Sequence, residues 1–508
     1  MSVNQLKAGA VLSYISIALN NVIGLLYTPY MLRMLGQNEY GLYSLVASVV
    51  SYLTVLDLGF ANAIVRYTAK FRAEGKVTEQ YEMFGMFFVL YCLIGVVTFI
   101  IGLGLCFNVE ALFGTTMSNE DLEKIRIMMF LMVFNLAFTF PMSIWGAIIT
   151  AYENFVFQKM VNIVRIILNP IVMVVLLYWG YKAIAMVVVL TLFNMATLLI
   201  NAWFCKSNIK IKIRFAHFKW GFLREVSIYS FWIFLNTIMD RIYWNTGQFI
   251  LGIYNGATAI AIYAVAIQLV HIFINFSTAI TGVFLPKVTA LVTKQNSEKE
   301  VSDLFVKTGR AQYLIMLFVL IGFILFGKQF IVLWAGADYV ESYTITLLFF
   351  LPLIVPLIQN LGITILQARN QMKFRSLFYT GISILSLGIS IPLAKAYGGI
   401  GCAIGTSIAL IAGQIVGMNI YYYKKIHIDI PLFWKEIGKM SIAPIAFAML
   451  CWFLLKHIDT NNVVSLTLAI ITFTILYQFV IWFMSMNSYE KNLISSPVIM
   501  LYHKIIRK

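Results

Sequence analysis

The sequence predicts an all-α integral membrane fold of fourteen transmembrane helices, built as two parallel-related six-helix lobes followed by two further helices. Three observations carry this expectation. Of the 508 residues 61% are hydrophobic and only 11% charged, too little polarity to clothe a water-soluble domain of this size. Apolar runs of about 20 residues, each able to cross a ~30 Å hydrocarbon layer as a helix, recur along the whole chain. Short motifs repeat between the two halves at a nearly constant offset.

The first run, Ala8 to Leu32, follows MSVNQLK. It is too long for the apolar region of a signal peptide and is not closed by a small-residue cleavage site, so it is expected to be an uncleaved helix. Leu42 to Ile64, Phe84 to Phe107, Ile127 to Thr150, Met160 to Tyr178 and Ala183 to Cys205 complete an N-lobe, residues 1–205. A basic connecting loop, 206–225, leads to a C-lobe, 226–425, with spans Val226 to Leu251, Thr258 to Phe284, Gln312 to Trp334, Ser342 to Leu366, Ser376 to Ala394 and Gly399 to Tyr423. Residues 426–508 hold the last two spans, Met440 to Leu455 and Val463 to Met486, and a tail. The runs are continuous and lack the alternating pattern of lipid-facing strands, which favours helices over a barrel.

Orientation follows from Lys and Arg. With the N-terminus in the cytoplasm, 29 of the 37 basic residues fall on or near that face, seven on or near the other, and Arg241 remains, inside the seventh span. The positive-inside rule then puts both termini in the cytoplasm. The net charge of +16 is accounted for by these short loops, so it does not point to nucleic acid.

The repeat has an offset near 220 residues. Gly36 and Tyr43 correspond to Gly256 and Tyr263; Ile149 to Gln158 corresponds to Leu366 to Arg375; Tyr178 to Ala185 corresponds to Tyr397 to Ile404. An even number of crossings separates the copies, so they share one orientation and are expected to be related by an axis along the membrane normal, a transporter plan.

The stretch NTIMDRIYWNTGQF, Asn236 to Phe249, places Asp240 and Arg241 side by side in the seventh span, ~21 Å from its expected cytoplasmic end at Val226. The repeat aligns them with Asn20 and Asn21. Residues adjacent on a helix do not face each other, so the two charges need other partners. Thr237, Arg241, Asn245 and Gln248 draw one polar stripe, and Asn236 and Asp240 an adjoining one. Intramembrane charge is costly and faces protein or water. Two readings stand: a cavity lining, or a buried ion pair tying helices together. Asp57 in the second span has the same two readings, a proton or cation relay or a tie to Arg66 or a facing helix. Arg66 and Lys287 end the second and eighth spans, as interfacial anchors or as a cationic rim. The five Cys and five His residues show no metal-type spacing, and no metal or other cofactor is expected.

The segments LRMLGQNEYGLYSL (Leu32 to Leu45), DLGFANAIVRY (Asp57 to Tyr67) and AYENFVFQ (Ala151 to Gln158) resemble the oligosaccharide flippase, or polysaccharide transport, family of the MOP exporter superfamily, with its MATE-like fold. The resemblance implies a non-enzymatic transporter in a bacterial inner membrane that moves undecaprenyl-diphosphate-linked oligosaccharide units from the cytoplasmic to the outer leaflet. On that view Arg241, with Arg66 and Lys287, would meet the diphosphate, and Asn20, Asn21, Asn236, Asn245 and Gln248 the sugars. Asp57 and Asp240 would serve ion coupling. The implied partners are the lipid-linked glycan and the bilayer, with polysaccharide polymerase and chain-length machinery as candidates. A lipid II flippase and a MATE-type exporter of cations share the fold and stay open. A polymerase or ligase would need a sizeable outward loop; the longest, Asn108 to Arg126, holds Glu110, Glu120, Asp121 and Glu123 without a nucleophile or His.

Overall fold

The computed structural model describes residues 5–215, 220–281, 288, 290–291, 298–369, 371–458, 460–492 and 495. The described chain is helical, with no strand among its residues. Among the described residues eleven helices are long and apolar enough to cross a membrane, which makes this a multi-pass membrane protein. Two of them, Ala8–Ala73 and Met372–Lys424, run 66 and 53 residues, and each covers two of the expected spans. Their interruptions are glycines with positive φ, Gly36 (75°) and Gly398 (55°). The expected seventh span lies within Trp220–Tyr254, which is not among the eleven; its Asn, Asp, Arg and Gln residues dilute its hydropathy.

The chain divides into two compact units, residues 1–265 with 373–406 and residues 266–372 with 407–508. The first holds α1 (Gln5–Leu53), a 3-10 turn (Thr54–Asp57), α2 (Phe60–Ala73), α3 (Val77–Phe107), the short α4 (Val109–Phe113), α5 (Asn119–Ala151), α6 (Phe155–Tyr178), α7 (Ala183–Phe204) and α8 (Trp220–Tyr254). It also takes in the start of α9 (Ala257–Thr281) and, in chain order after the helices of the second unit, most of α13 (Met372–Leu410).

Lipid tails are as apolar as Leu, so helices here associate by close packing and hydrogen bonds. The core of the first unit gathers Phe60, Phe84, Phe87, Tyr91, Phe140, Ile144, Trp145 and Ile148, all buried. Tyr91 stacks on Phe140 with ring centroids 6.3 Å apart. Gly41 is required where α1 meets α9, because a Cβ there would stand 2.0 Å from the Ala257 carbonyl oxygen. Gly36 and Gly256, matched in the sequence repeat, share a left-handed backbone with φ 75° and 83°, which glycine adopts without steric cost. The buried Glu39 joins three elements at one end of this unit. It accepts from Lys124 Nζ of α5 at 2.8 Å and from the Ala183 amide that opens α7 at 3.3 Å.

The second unit holds the rest of α9, then α10 (Glu298–Trp334), α11 (Glu341–Ile358), α12 (Leu361–Ala368), α14 (Met418–Lys424), α15 (Ile430–Leu455) and α16 (Val463–Val480). Phe305 packs against Tyr422 and Phe433, and Phe318 and Phe447 pack on Phe473 and Tyr477. Its principal ion cluster is centred on buried Arg310. Nε and Nη2 bind both carboxylate oxygens of Glu490 at 2.6 and 3.1 Å, and Nη1 binds Glu436 Oε2 at 2.8 Å.

Candidate intramembrane polar site

The polar stretch of α8 meets the first turns of α13. Asn236 sits between two α13 side chains: its Nδ2 donates to Ser376 Oγ at 3.0 Å, and its Oδ1 accepts from Arg375 Nη1 at 3.2 Å. The Arg375 guanidinium also lies 4.6 Å from the centre of the Tyr379 ring, one helical turn further on. At the other end of the same pair of helices, Lys395 Nζ stands 4.6 Å from the Tyr254 ring. Two contacts at offsets of about 140 residues mean that α8 and the first half of α13 run parallel. The stretch between them, Asn236 to Tyr254, spans ~27 Å, about one hydrocarbon thickness.

This register relates the charges of α8 to α13. Asp240 and Arg241 lie ~6 to 8 Å along α8 beyond the level of Asn236 and Arg375. The helix begins at Trp220, earlier than the expected Val226. There Phe222 packs against Tyr67 with ring centroids 4.9 Å apart, and Glu225 accepts from the Tyr67 hydroxyl at 2.9 Å.

The second half of α1 runs antiparallel to α8, since Tyr52 and Thr246 share a hydrogen bond and Gly41 touches Ala257 just beyond the end of α8. From that register Asp57 stands level with Asp240 and Arg241. It nevertheless points elsewhere. Asp57 closes the 3-10 turn; Leu58 (φ 52°) and Gly59 (φ 75°) then take positive φ before α2 begins. Its carboxylate accepts from the Tyr91 hydroxyl of α3 at 2.8 Å and from the Gly59 amide. No ion pair to Asp57 occurs among the described residues, so of its two structural ties the facing helix is the one found, through a neutral partner.

The other expected site residues are distributed more loosely. Arg241 is half-buried, and its Nε is shut off from solvent without a hydrogen-bond partner among the described residues. Asp240 is exposed. Asn245 and Gln248 are half-buried and flank Thr246 and Gly247, the latter close against Tyr263. On α1, Asn20 is exposed and Asn21 half-buried. Arg66 is exposed, its guanidinium 5.8 Å from the Tyr67 ring. Lys287 lies outside the described residues.

Arg375 is the member that sequence reasoning missed, because four residues after a turn it reads as one more loop cation. The available signal was Tyr379 at i+4, the spacing at which a guanidinium and a ring share a helix face. Like Arg241, Arg375 is half-buried with its Nε unpartnered among the described residues. The contacts join one guanidinium, an amide, a hydroxyl and a phenol ring, and α8 carries a carboxylate and a second guanidinium at Asp240 and Arg241, one turn beyond Asn236. Such a set favours an anion bearing several acceptors.

Comparison with known proteins agrees with this picture of a transporter-like membrane fold. Residues 6–292 match the family described as polysaccharide biosynthesis protein. A Shigella flexneri protein provisionally assigned as an O-antigen transporter is 20% identical over 411 residues, covering 80% of this chain and 94% of its own length. Among solved structures, the lipid II flippase MurJ in an inward closed conformation aligns with a TM-score of 0.70 at 18% identity, covering 93% of this chain and all of that one. An inward-facing multidrug resistance MATE transporter of the MOP superfamily aligns with a TM-score of 0.54 at 14% identity, covering 80% of this chain and 95% of that one.

Proposed function

We propose, from the premise that the chain belongs to the polysaccharide biosynthesis protein family, that it is a flippase for polyprenyl-diphosphate-linked oligosaccharides in the bacterial cytoplasmic membrane. Both termini would face the cytoplasm, and the undecaprenyl-linked unit would pass to the outer leaflet for surface polysaccharide assembly. Polymerase and chain-length proteins would act on what it delivers.

The observation that supports this reading is the hold of Asn236 of α8 on Arg375 of α13, with Arg241 on α8 five residues further on. A diphosphate with several sugars cannot cross hydrocarbon unaided. Two guanidinium groups at the entry would replace water around the phosphates, and Asn236, Ser376, Asn245 and Gln248 offer partners to sugar hydroxyls. The lipid tail would remain in the bilayer while the two halves exchange access from one face to the other. The charge balance of the group, two cations against Asp240, argues against a MATE-type role with organic cations, which would want a net negative site.

The test is complementation. In a strain deleted for its own oligosaccharide flippase, expression of the chain should restore surface glycan. Rescue of a strain depleted of its lipid II flippase, without glycan rescue, would move the substrate to the peptidoglycan precursor; rescue of neither, with export of cationic dyes, would replace the proposal by the drug-exporter alternative.

A further inference from the structure

We propose that the turn between α6 and α7 carries a binding site for a zwitterionic phospholipid with a primary ammonium head, phosphatidylethanolamine, of the outer leaflet. Only the leaflet rests on the orientation proposed above; the site itself does not depend on what is transported.

A cavity of about 440 Å³ opens at this turn, with a divided lining. Glu39, Lys124 and Lys182 are its charged members, and Leu176, Ile184 and Val188 belong to its apolar remainder. One buried carboxylate holds the charged end together. Glu39, 5% exposed, binds Lys124 Nζ through Oε1 at 2.8 Å and, through Oε2 at 3.3 Å, the amide of Ala183, the residue that follows Lys182. The ammonium of Lys124 and the first turn of α7 therefore meet at a single group. Lys124 Nζ also lies 2.7 Å from Glu120 Oε1, whose side chain is 77% exposed.

The apolar wall leads away from that end. Val188 and Leu192 stand ~9 and ~15 Å along α7 from Lys182, one turn apart on the same face, and both are exposed. Around the turn Tyr178, Trp179 and Tyr181 are exposed as well, and exposed aromatic residues at the end of a membrane span mark the headgroup level. A charged end at headgroup level with an exposed apolar strip running down one helix is the layout of a single phospholipid. Its head would sit at the turn and one acyl chain along α7.

The charges name the head. Lys124 and Lys182 stand with Glu39 and Glu120, so the four sum to zero. Glu39 and Lys124 are already paired. Lys182 is exposed and forms no ion pair among the described residues, and Glu120 gives Lys124 one of its two oxygens. One cation and one carboxylate oxygen thus remain to be matched. A phosphodiester meets the first, and a primary ammonium, with three N–H donors, meets the second. A choline head has no N–H to give Glu120, and a glycerol head brings a phosphate without a cation.

The experiment uses the purified, delipidated full chain in detergent. It is titrated with phosphatidylethanolamine, phosphatidylcholine and phosphatidylglycerol of one acyl composition, and bound lipid is counted by native mass spectrometry beside the unfolding midpoint. Wild type should bind phosphatidylethanolamine at least fivefold better than the other two, and unfold at a higher temperature with it. Lys182→Ala should lower that binding at least fivefold. Glu120→Gln should bring it down to the level of phosphatidylcholine and leave phosphatidylcholine itself unchanged. Both side chains are exposed, and the midpoint without lipid checks that each variant is folded. Glycerophosphoethanolamine, the same head without chains, should not displace the lipid. Lys456→Ala is the control for general attraction to an interfacial lysine, since Lys456 lies over the Trp452 ring at 3.8 Å, away from this site; it should bind as wild type does. Equal binding of the three lipids, a preference for phosphatidylglycerol, or an unchanged preference in folded Lys182→Ala and Glu120→Gln proteins overturns the proposal. So does displacement by the chainless head, or a loss in Lys456→Ala as large as in Lys182→Ala. A reporter that puts Thr115 in the cytoplasm overturns the outer-leaflet assignment, and failure of glycan rescue bears on the transport reading alone.

Discussion

Arg375 Nη1 donates to Asn236 Oδ1 at 3.2 Å, while the amide nitrogen of the same Asn236 donates to Ser376 Oγ at 3.0 Å. One side chain thereby registers α8 against α13 and holds a guanidinium one turn before the level of Asp240 and Arg241. The two helices are 139 residues apart in sequence at this contact.

The first prediction tests that tie. Asn236→Ala removes both hydrogen bonds and leaves buried partners unsatisfied, a loss of ~1 to 3 kcal/mol. Thermal unfolding in detergent should show a lower midpoint, and a double-mutant cycle with Arg375→Ala should return a coupling of ~0.5 kcal/mol or more. Additive effects would mean that the contact does not organise the site.

The second concerns Arg310, which engages Glu490 through two nitrogens and Glu436 through a third. Arg310→Met strands the Glu490 carboxylate, only 2% exposed, while Glu436 keeps Lys439 at 3.4 Å, and should cost ~3 to 5 kcal/mol. Adding Glu490→Gln should recover part of that loss. A single variant as stable as wild type would show that the cluster contributes nothing to holding the segment after α16 in place.

Much of this architecture is legible in the sequence because hydrophobic length is a local property. The apolar runs mark the helices, and Gly36 and Gly256 reveal themselves as equivalent turns through their offset alone. The partners of α8 are not local. Counting from the apolar edge at Val226 gives only a distance along the helix, whereas the contacts of Asn236 that set α8 against α13 join residues about 140 apart in sequence. The same holds for Arg310, whose partner Glu490 lies 180 residues away and whose own surroundings read only as a basic helix end. Asp57 illustrates a third case. The sequence leaves its partner open, and the answer, Tyr91 of α3, is set by packing between helices 34 residues apart in sequence.

The third prediction follows from Asp57. Its partners are a phenol and an amide, and an asparagine oxygen could accept from both, so Asp57→Asn should unfold within about 0.5 kcal/mol of wild type or at a higher temperature. An acid kept where an amide would serve the fold suggests use of its proton or charge, and export by Asp57→Asn should fall and lose its response to collapse of the proton gradient. Full, gradient-sensitive export by this variant would make Asp57 a structural residue. Tyr91→Phe serves as the comparison, since it removes the donor without removing the acid.

Topology gives the fourth. A reporter fused after Asn208 should be cytoplasmic and one after Thr115 external, because 29 of the 37 Lys and Arg residues fall on or near the face that holds 206–225. The opposite result would invert the proposed direction of transport along with the orientation.

Arg241 gives the last. Were it one half of a buried ion pair, Arg241→Ala would leave a carboxylate stranded at a cost of ~3 to 5 kcal/mol. Its surroundings point the other way: Asp240 is exposed, Asp57 is committed to Tyr91, and the Arg241 Nε has no partner among the described residues. Removing the side chain should therefore leave folding nearly unchanged, or improve it by relieving an unsatisfied group, while export is lost. Arg241→Lys keeps the charge and gives up the planar fork, so export should return only in part. Protein level, unfolding midpoint in detergent and glycan export, measured together, separate the cases. A destabilised Arg241→Ala protein rescued by neutralising Asp57 or Asp240 would restore the ion-pair reading, and a stable one with full export would remove Arg241 from the transport path altogether.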